Sequence, residues 1–418
     1  MRDAGTRSGL LRQRARGARS PQRAESPPRH IGIEHPPEYL VETMTTNLPI
    51  EQLVAAIHRA PTRLVLALSG GSGALSALLT VPGASGTVLE AVVPYCESAM
   101  IHWMGGRTDQ FCSSRAARAM AVAAFHRAVA CAGSAADVAG IGCTASLATY
   151  RPKRGEHRAH VAWQTSAATA VWSLRLEKGR RDRQAEEEIV ARLVLNAVAD
   201  VCGIDQRLDL TLSADEPLET AHIDAPPAWQ DLFLGRTEAV CCTAPAEPVR
   251  AILPGAFNPV HVGHRRMLAI AAEMLGTAVA VELSIVNVDK PPLDYHEIAW
   301  RVGQFDPPQV VWLTRAATFD QKARLFPGAT FVVGTDTLRR IAAAPYYGDD
   351  ETACQAALQR IVDRGCRFLV FGRDLGPGFV RLGDLDLPDF FRAVCREVPP
   401  EVFRETVSST AIRRQGKD

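Results

Sequence analysis

No run of apolar residues in this chain of 418 approaches the roughly 20 needed to cross a bilayer; Leu64–Leu68 and Phe331–Val333 are only strand-length. A membrane-spanning protein is therefore excluded, and no membrane partner is expected. Net charge is lacking as well: 47 Lys and Arg against 46 Asp and Glu leave a formal +1. That balance gives no overall field to gather nucleic acid, so any polyanion site must be local. The ten cysteines include no CxxC pair and no metal-ligand spacing, which argues for reduced thiols in a cytoplasmic compartment. Cys241 and Cys242 are adjacent, but small apolar residues before a domain boundary suit them better than redox chemistry. Lysine is scarce, limited to Lys153, Lys178, Lys290, Lys322 and Lys417, a bias of base composition rather than of function. What is present, 47% hydrophobic and 22% charged residues, supplies cores for two or three domains of about 150 residues.

Residues 1–43 carry no apolar periodicity, and their first 30 positions hold eight arginines against Asp3 and Glu25. An Arg-rich transit peptide and an anion-touching tail both fit that composition. The preferred reading is a mis-assigned start, because Met44 opens Met-Thr-Thr-Asn-Leu-Pro-Ile-Glu-Gln-Leu, a capped amphipathic helix start. The fold is read from residue 44 onward.

Over 44–210 a helix near Leu48–Ala60 precedes the buried strand Leu64–Leu68, which runs into Ser69-Gly-Gly-Ser-Gly. Further strands are expected at Val88–Val93, Val138–Ile141 and His160–Thr165, with helices at Ser114–Ala132 and Gln184–Cys202. Such alternation implies an α/β domain. Between 211 and 247 the pattern breaks into short runs with Pro217, Pro226, Pro227 and Pro245, which reads as an inter-domain linker. A second alternation over 248–418 places strands at Arg250–Leu253, Val279–Val286, Gln309–Leu313, Thr330–Val333 and Arg367–Phe371. Helices are expected at Gly263–Leu275 and Thr352–Arg364 and from Ser409, so the sheet is parallel and doubly wound, with ligands beyond its carboxyl ends.

Directly after the strand Ala251-Ile-Leu comes Pro254-Gly-Ala-Phe-Asn-Pro-Val-His-Val-Gly-His264. Gly255 lets backbone pass close to a ligand, Asn258-Pro259 forces a turn, and His261 and His264 flank Gly263 on the first turn of a helix. Both imidazoles and the free N–H groups of the helix end can then face one anion. Two such histidines alone would also suit ordinary packing or part of a metal site.

The run glycine-aromatic-Asn-Pro-x-His-x-Gly-His resembles the signature of the nucleotidylyltransferase superfamily, which includes nicotinate and nicotinamide mononucleotide adenylyltransferases as well as cytidylyltransferases. Val407-Ser-Ser-Thr-Ala-Ile-Arg413 is similar to that family's Ile-Ser-Ser-Thr-x-Ile-Arg motif, and Phe331–Leu338 to its Gly-x-Asp-x-Leu strand end. The resemblance covers about 249–418 and implies a Rossmann-like domain. It makes His261 and His264 catalytic, bracketing the α and β phosphates. It puts Gly255, Phe257, Asn258 and Gly263, with Ser408, Ser409, Thr410 and Arg413, around ATP. Ser-Ser-Thr also reads as a plain N-cap. Asp336 would lie near the mononucleotide or serve as a helix N-cap, and Lys290 would meet a phosphate or remain a solvated loop lysine. Magnesium would arrive on the triphosphate, needing no protein metal site.

In the first half, Ala67-Leu-Ser-Gly-Gly-Ser-Gly, Leu79-Thr-Val-Pro-Gly-Ala-Ser-Gly and Val93-Pro-Tyr95 together resemble the C-terminal domain of CinA proteins, a family that includes nicotinamide mononucleotide amidohydrolases. Ser69 and Tyr95 match two of its catalytic positions, but Leu68 stands where the family usually has Glu, and Met100 where it has Lys. Ser69 and Tyr95 therefore read as a relic, and the domain as one kept for packing, dimerisation or ligand sensing. Only His102 offers a serious substitute base. The whole chain reads as an AMP transferase from ATP to a phosphorylated small molecule, nicotinamide or nicotinate mononucleotide first. The rivals are another nucleotide or acceptor, a nucleotide-binding regulator, or an amidohydrolase.

Overall fold

The computed structural model describes residues 45–46, 48–151, 153–243, 248–287, 290–374, 378–405, 409 and 412–413, all within one compact unit spanning 33–418. Two sheets organise it. The first joins strands β1 (Arg63–Ser69), β2 (Val88–Val92), β3 (Val138–Ser146), β4 (His157–Gln164), β5 (Ala168–Leu176) and β6 (Leu218–Asp224) in the order β2-β1-β3-β4-β5-β6. The pairs β2–β1 and β1–β3 are parallel, and the remaining pairs are antiparallel. Helices α1 (Ile50–Arg59), α2 (Gly73–Thr80) and α5 (Arg183–Val201) bury one face of this sheet; α3 (Glu97–Met104) and α4 (Ser114–Ala132) lie over the other.

Helix α4 comes unusually close to its sheet. A Cβ placed on Gly140 would lie 2.1 Å from the backbone nitrogen of Phe125, and one on Gly142 would lie 2.2 Å from the carbonyl oxygen of Ala117. Two glycines on β3 and the small buried residues Ala117, Ala121 and Ala124 on the helix are what let the two backbones touch.

The second sheet holds β7 (Ala239–Cys241), β8 (Ala251–Pro254), β9 (Val279–Ser284), β10 (Val311–Thr314), β11 (Thr330–Gly334), β12 (Arg367–Phe371) and β13 (Cys395–Glu397). Their order is β13-β12-β11-β8-β9-β10-β7, parallel except for the antiparallel edge strand β7. The six parallel strands thus run three-two-one-four-five-six in chain order. The order reverses between β8 and β11, where a doubly wound sheet opens a crevice at its carboxyl ends.

Over its described residues, 211–243, the stretch 211–247 is not the connection its prolines suggested. Leu218–Asp224 is an edge strand along β5, helix α6 (Pro227–Phe233) enters the core, and β7 extends the second sheet. Pro226 is the N-cap of α6 and Pro227 its first residue, where a missing N–H costs no hydrogen bond. Around α6 a single apolar cluster runs from Val65, Val122 and Phe125 through Trp229 and Phe233 to Leu253, Val281 and Tyr295. Phe233 stands 5.7 Å from the Phe125 ring and 5.0 Å from the Tyr295 ring, so the two sheets share one core.

Candidate active site

Strand β8 is fully buried until Pro254, and the chain leaves it through Gly255, whose N–H donates to the Glu282 carbonyl at 2.9 Å. A Cβ on Gly255 would sit 2.7 Å from the ring of Phe257, so this turn closes only over glycine. Phe257 takes a positive φ of 46° and sends its ring down into the core against His264 and Phe305. It supports the site from beneath and does not line it, because a ring only 1% exposed has no face left for ATP.

The loop that follows is held carbonyl by carbonyl. Arg301 Nη1 donates to Ala256 O at 3.2 Å, Gln304 Nε2 to Phe257 O at 2.9 Å, Arg413 Nη1 to Asn258 O at 2.5 Å and Ser409 Oγ to Pro259 O at 3.0 Å. Arg301 comes from helix α8 (Tyr295–Val302), and Gln304 follows it. Ser409 and Arg413 thus reach the loop itself; Ser408 and Thr410 lie outside the described residues.

Helix α7 (Val262–Leu275) starts from His261 as N-cap, and Gly263 leaves room for the His261 ring, whose Cε1 would lie 3.1 Å from a Cβ there. The rings of His261 and His264 stack with centroids 3.8 Å apart. His264 Nδ1 accepts from the His261 backbone N–H at 3.3 Å, which leaves the proton of the neutral ring on Nε2. Burial, then His261, then Arg373 push the His264 pKa down to about 3; burial and Arg373 lower that of His261 while Glu405 opposes them. Among the described residues His261 Nδ1 is buried without a hydrogen-bond partner. Two neutral imidazoles at a helix N-terminus, beside a fixed guanidinium, form a donor set for phosphate oxygens. Among the described residues no group of three or more His, Cys, Asp or Glu side chains is arranged to hold a metal ion.

Beside this loop a cleft of about 250 Å³ opens over the carboxyl ends of β8, β9 and β10 and the starts of α9 (Phe319–Leu325) and α10 (Thr335–Ile341). Phe319, Tyr346 and Tyr347 form aromatic walls. Its floor is the buried pair Lys322–Glu282, with Nζ 2.7 and 2.8 Å from the two carboxylate oxygens, completed by Thr314 Oγ1 on Glu282 and by Ala316 O at 2.8 Å from Nζ. Sequence reasoning missed this pair; its one available signal was that Lys322 is among only five lysines.

Lys290 lines the cleft, whereas Asp336 is not among its lining residues. Asp336 Oδ2 accepts from Arg373 Nη1 at 2.8 Å, while Thr337 and Arg340 on the same helix reach the cleft. Nor is Asp336 the cap of α10, since Gly334 holds that place. Its carboxylate fixes Arg373, the arginine whose charge depresses both histidines.

In the first half, Ser69 closes β1, and Tyr95 lies just beyond the carboxyl end of the neighbouring parallel strand β2. Ser69 Oγ donates to Pro94 O at 2.6 Å, and Tyr95, 66% exposed, accepts from Arg183 Nη2 at 3.1 Å. Met100 is buried with Ala67, Met104 and Met120, an apolar cluster that offers no base. His102 is exposed, and Arg107 pairs with Glu97 at 2.6 Å. A group the sequence gave no reason to pair with this site is Lys153, whose Nζ donates to Ser146 Oγ and Leu147 O, both at 2.7 Å, just beyond the end of β3.

Residues 252–415 match the family model described as cytidylyltransferase-like, so the second half carries a nucleotidyltransferase-like domain. No curated protein sequence matches the chain. Among solved structures, the competence/damage inducible protein CihA from Agrobacterium tumefaciens is similar at 18% identity and a TM-score of 0.31, over 38% of this chain and 99% of that one. A competence-damaged protein (CinA) superfamily member from Escherichia coli is similar at 20% identity and a TM-score of 0.30, over 37% of this chain and 90% of that one. A third, from Enterobacter cloacae, stands at 16% identity and a TM-score of 0.31, over 40% of this chain and 99% of that one.

Proposed function

We propose that the chain transfers AMP from ATP to the phosphate of a small phosphorylated acceptor, nicotinamide or nicotinate mononucleotide first, and releases pyrophosphate. The observation that carries the reading is the stacked His261–His264 pair at the N-terminus of α7, directly beyond the carboxyl end of β8 at the reversal of strand order. An acceptor phosphate oxygen attacks the α-phosphorus, the bond to the bridging oxygen breaks, and pyrophosphate leaves with the electron pair. No general base is needed, because the attacking phosphate is already ionised. The imidazole N–H of His264 and the helix-end amides donate to oxygens whose charge grows in the transition state, and Arg413 braces the loop that carries the histidines through Asn258 O. Magnesium comes with the triphosphate as part of the substrate; imidazole and guanidinium donors suit phosphate oxygens rather than a hard cation. The aromatic walls of the cleft suit the planar base of a mononucleotide.

The test is pyrophosphate release from purified protein, with each NTP against a panel of phosphorylated acceptors. Turnover with ATP and a pyridine mononucleotide supports the reading; turnover with CTP or another acceptor moves the specificity within the class. Saturable NTP binding without turnover under any condition makes the protein a sensor instead. The same reactions read for ammonia are expected to stay blank, since the Ser69 hydroxyl hydrogen-bonds to a carbonyl and not to a base. Ammonia release abolished in Ser69→Ala would overturn the relic assignment, and its loss in Lys153→Met or His102→Ala would identify the base.

A further inference from the structure

Between the two halves lies a second cleft that shares Ala256, Asn287 and Lys290 with the first. Five cations line it: Arg107 and Arg115 from the first half, and Lys290, Arg301 and Arg413 from the second. Three carboxylates face them, Asp109, Asp294 and Glu297. All three are already engaged: Asp294 by Arg118, at 3.0 Å from a position outside the cleft, Glu297 by Arg301 at 2.5 Å and by Arg115 at 3.4 Å, and Asp109 by Arg413 at 3.2 Å. Among the described residues Lys290 has neither a hydrogen-bond nor an ion-pair partner. Partial burial, then Arg413, Arg301, Arg115 and Arg340, lower its pKa, as expected of an ammonium crowded by like charges.

The first half is pressed tightly against this spot. A Cβ on Gly106 would lie 2.7 Å from Lys290 Cα. With its amide oxygen turned to the guanidinium, Asn258 accepts from Arg115 Nη1 and Nη2 at 3.0 and 3.1 Å, and Arg413 spans from Asn258 O to Asp109 at 3.2 Å. Helix α8 is bound to the first sheet as well, through Tyr295 Oη to Ser166 O at 2.7 Å and a His296 ring nitrogen 3.0 Å from Thr169 O.

We propose that this seam is the acceptor's phosphate site: a dianionic phosphate monoester held by Lys290 from the second half and by Arg107 and Arg115 from the first. The cation surplus sets the ligand's charge, and the shared wall with the aromatic cleft sets its shape, an organic body in one compartment with its phosphate in the other. Asn258 and Ala256 border the same compartment, so a phosphate there adjoins the loop that carries the histidines. The first half then completes the transfer site, which gives it a role that needs no hydrolase chemistry.

The inference rests on the transfer reading, and the experiment separates the two. Binding of ribose 5-phosphate, with ribose as control, is measured by calorimetry on the full chain for wild type, Arg107→Ala and Lys290→Met. Arg107 is 67% exposed and bonded to Glu97 rather than to the loop, so its removal leaves the fold intact. Each variant is expected to weaken ribose 5-phosphate on the order of tenfold and to raise the acceptor KM in parallel, with ATP affinity changed less than about twofold. Wild-type turnover with an acceptor KM unaltered in Arg107→Ala overturns the seam site and leaves the transferase standing. Monoester binding that Arg107→Ala destroys, in a protein without turnover, overturns the transferase and leaves the anion site. A wild type blind to ribose 5-phosphate, or variants that weaken ATP equally, overturn the seam site.

Discussion

In the proposed transfer, His264 acts while uncharged. Its Nδ1 is occupied by the backbone of His261 and its pKa lies near 3, so at neutral pH it presents an N–H dipole and not a cation. A donor aimed at charge that develops only in the transition state raises the rate more than it raises affinity. His264→Ala is therefore expected to lower kcat by about a hundredfold or more, the size seen when one oxyanion donor is lost, while ATP binding weakens less. Equal losses in binding and rate, at an unchanged Tm, would reduce the residue to a positioning role. Phe257 shows the complementary case, a motif residue used for support. Its ring fills the space under the loop that a side chain on Gly255 would need, so the two positions make sense only together.

At the scale of the element, strands β4 and β5 pair across the first sheet and place His160 Nδ1 2.8 Å from Ser173 Oγ. Burial, with Arg158, Arg118 and Arg175, holds the His160 pKa at about 4, whereas the unfolded chain titrates near 6.5. Below pH about 6.5 the unfolded state takes up the proton first, so stability is intact above that pH and falls as the pH drops towards 4. Thermal unfolding should show this loss of Tm, and His160→Gln, which keeps a hydrogen-bonding group without a titration, should lose less over the same interval. Equal losses in wild type and variant would mean that other groups set the acid limit.

Across the whole molecule, the apolar cluster around Phe233 and Tyr295 belongs to both sheets, and β6, α6 and β7 attach the segment between them on either side. Unfolding in urea is expected to give a single transition, coincident by tryptophan fluorescence and far-ultraviolet circular dichroism. Two separated transitions would show that the halves are independent domains meeting at a weak interface.

Strand and helix positions around the glycine turns were legible in the sequence because apolar runs and their punctuation are local: β8, α7, β11 and β12 stand where the pattern put them. The histidine motif was legible for the same reason, since its residues share one loop and one helical turn. The segment 211–247 misled because prolines at a helix start look, in sequence, like prolines in a linker; only the neighbouring strand β5 and the buried face of α6 distinguish them. Asp336 was misplaced because its partner, Arg373, is 37 positions away. The Lys322–Glu282 floor and Arg115 of α4 beside Asn258 stayed invisible on the same ground, their partners being 40 and more than a hundred positions apart. Hydrophobic periodicity and backbone punctuation act over one or two turns of chain and so determine elements and local motifs. Charge pairing, close approach through Gly106, Gly140 and Gly142, and the shared core act through space, and they alone decided that residues of both halves line one cleft.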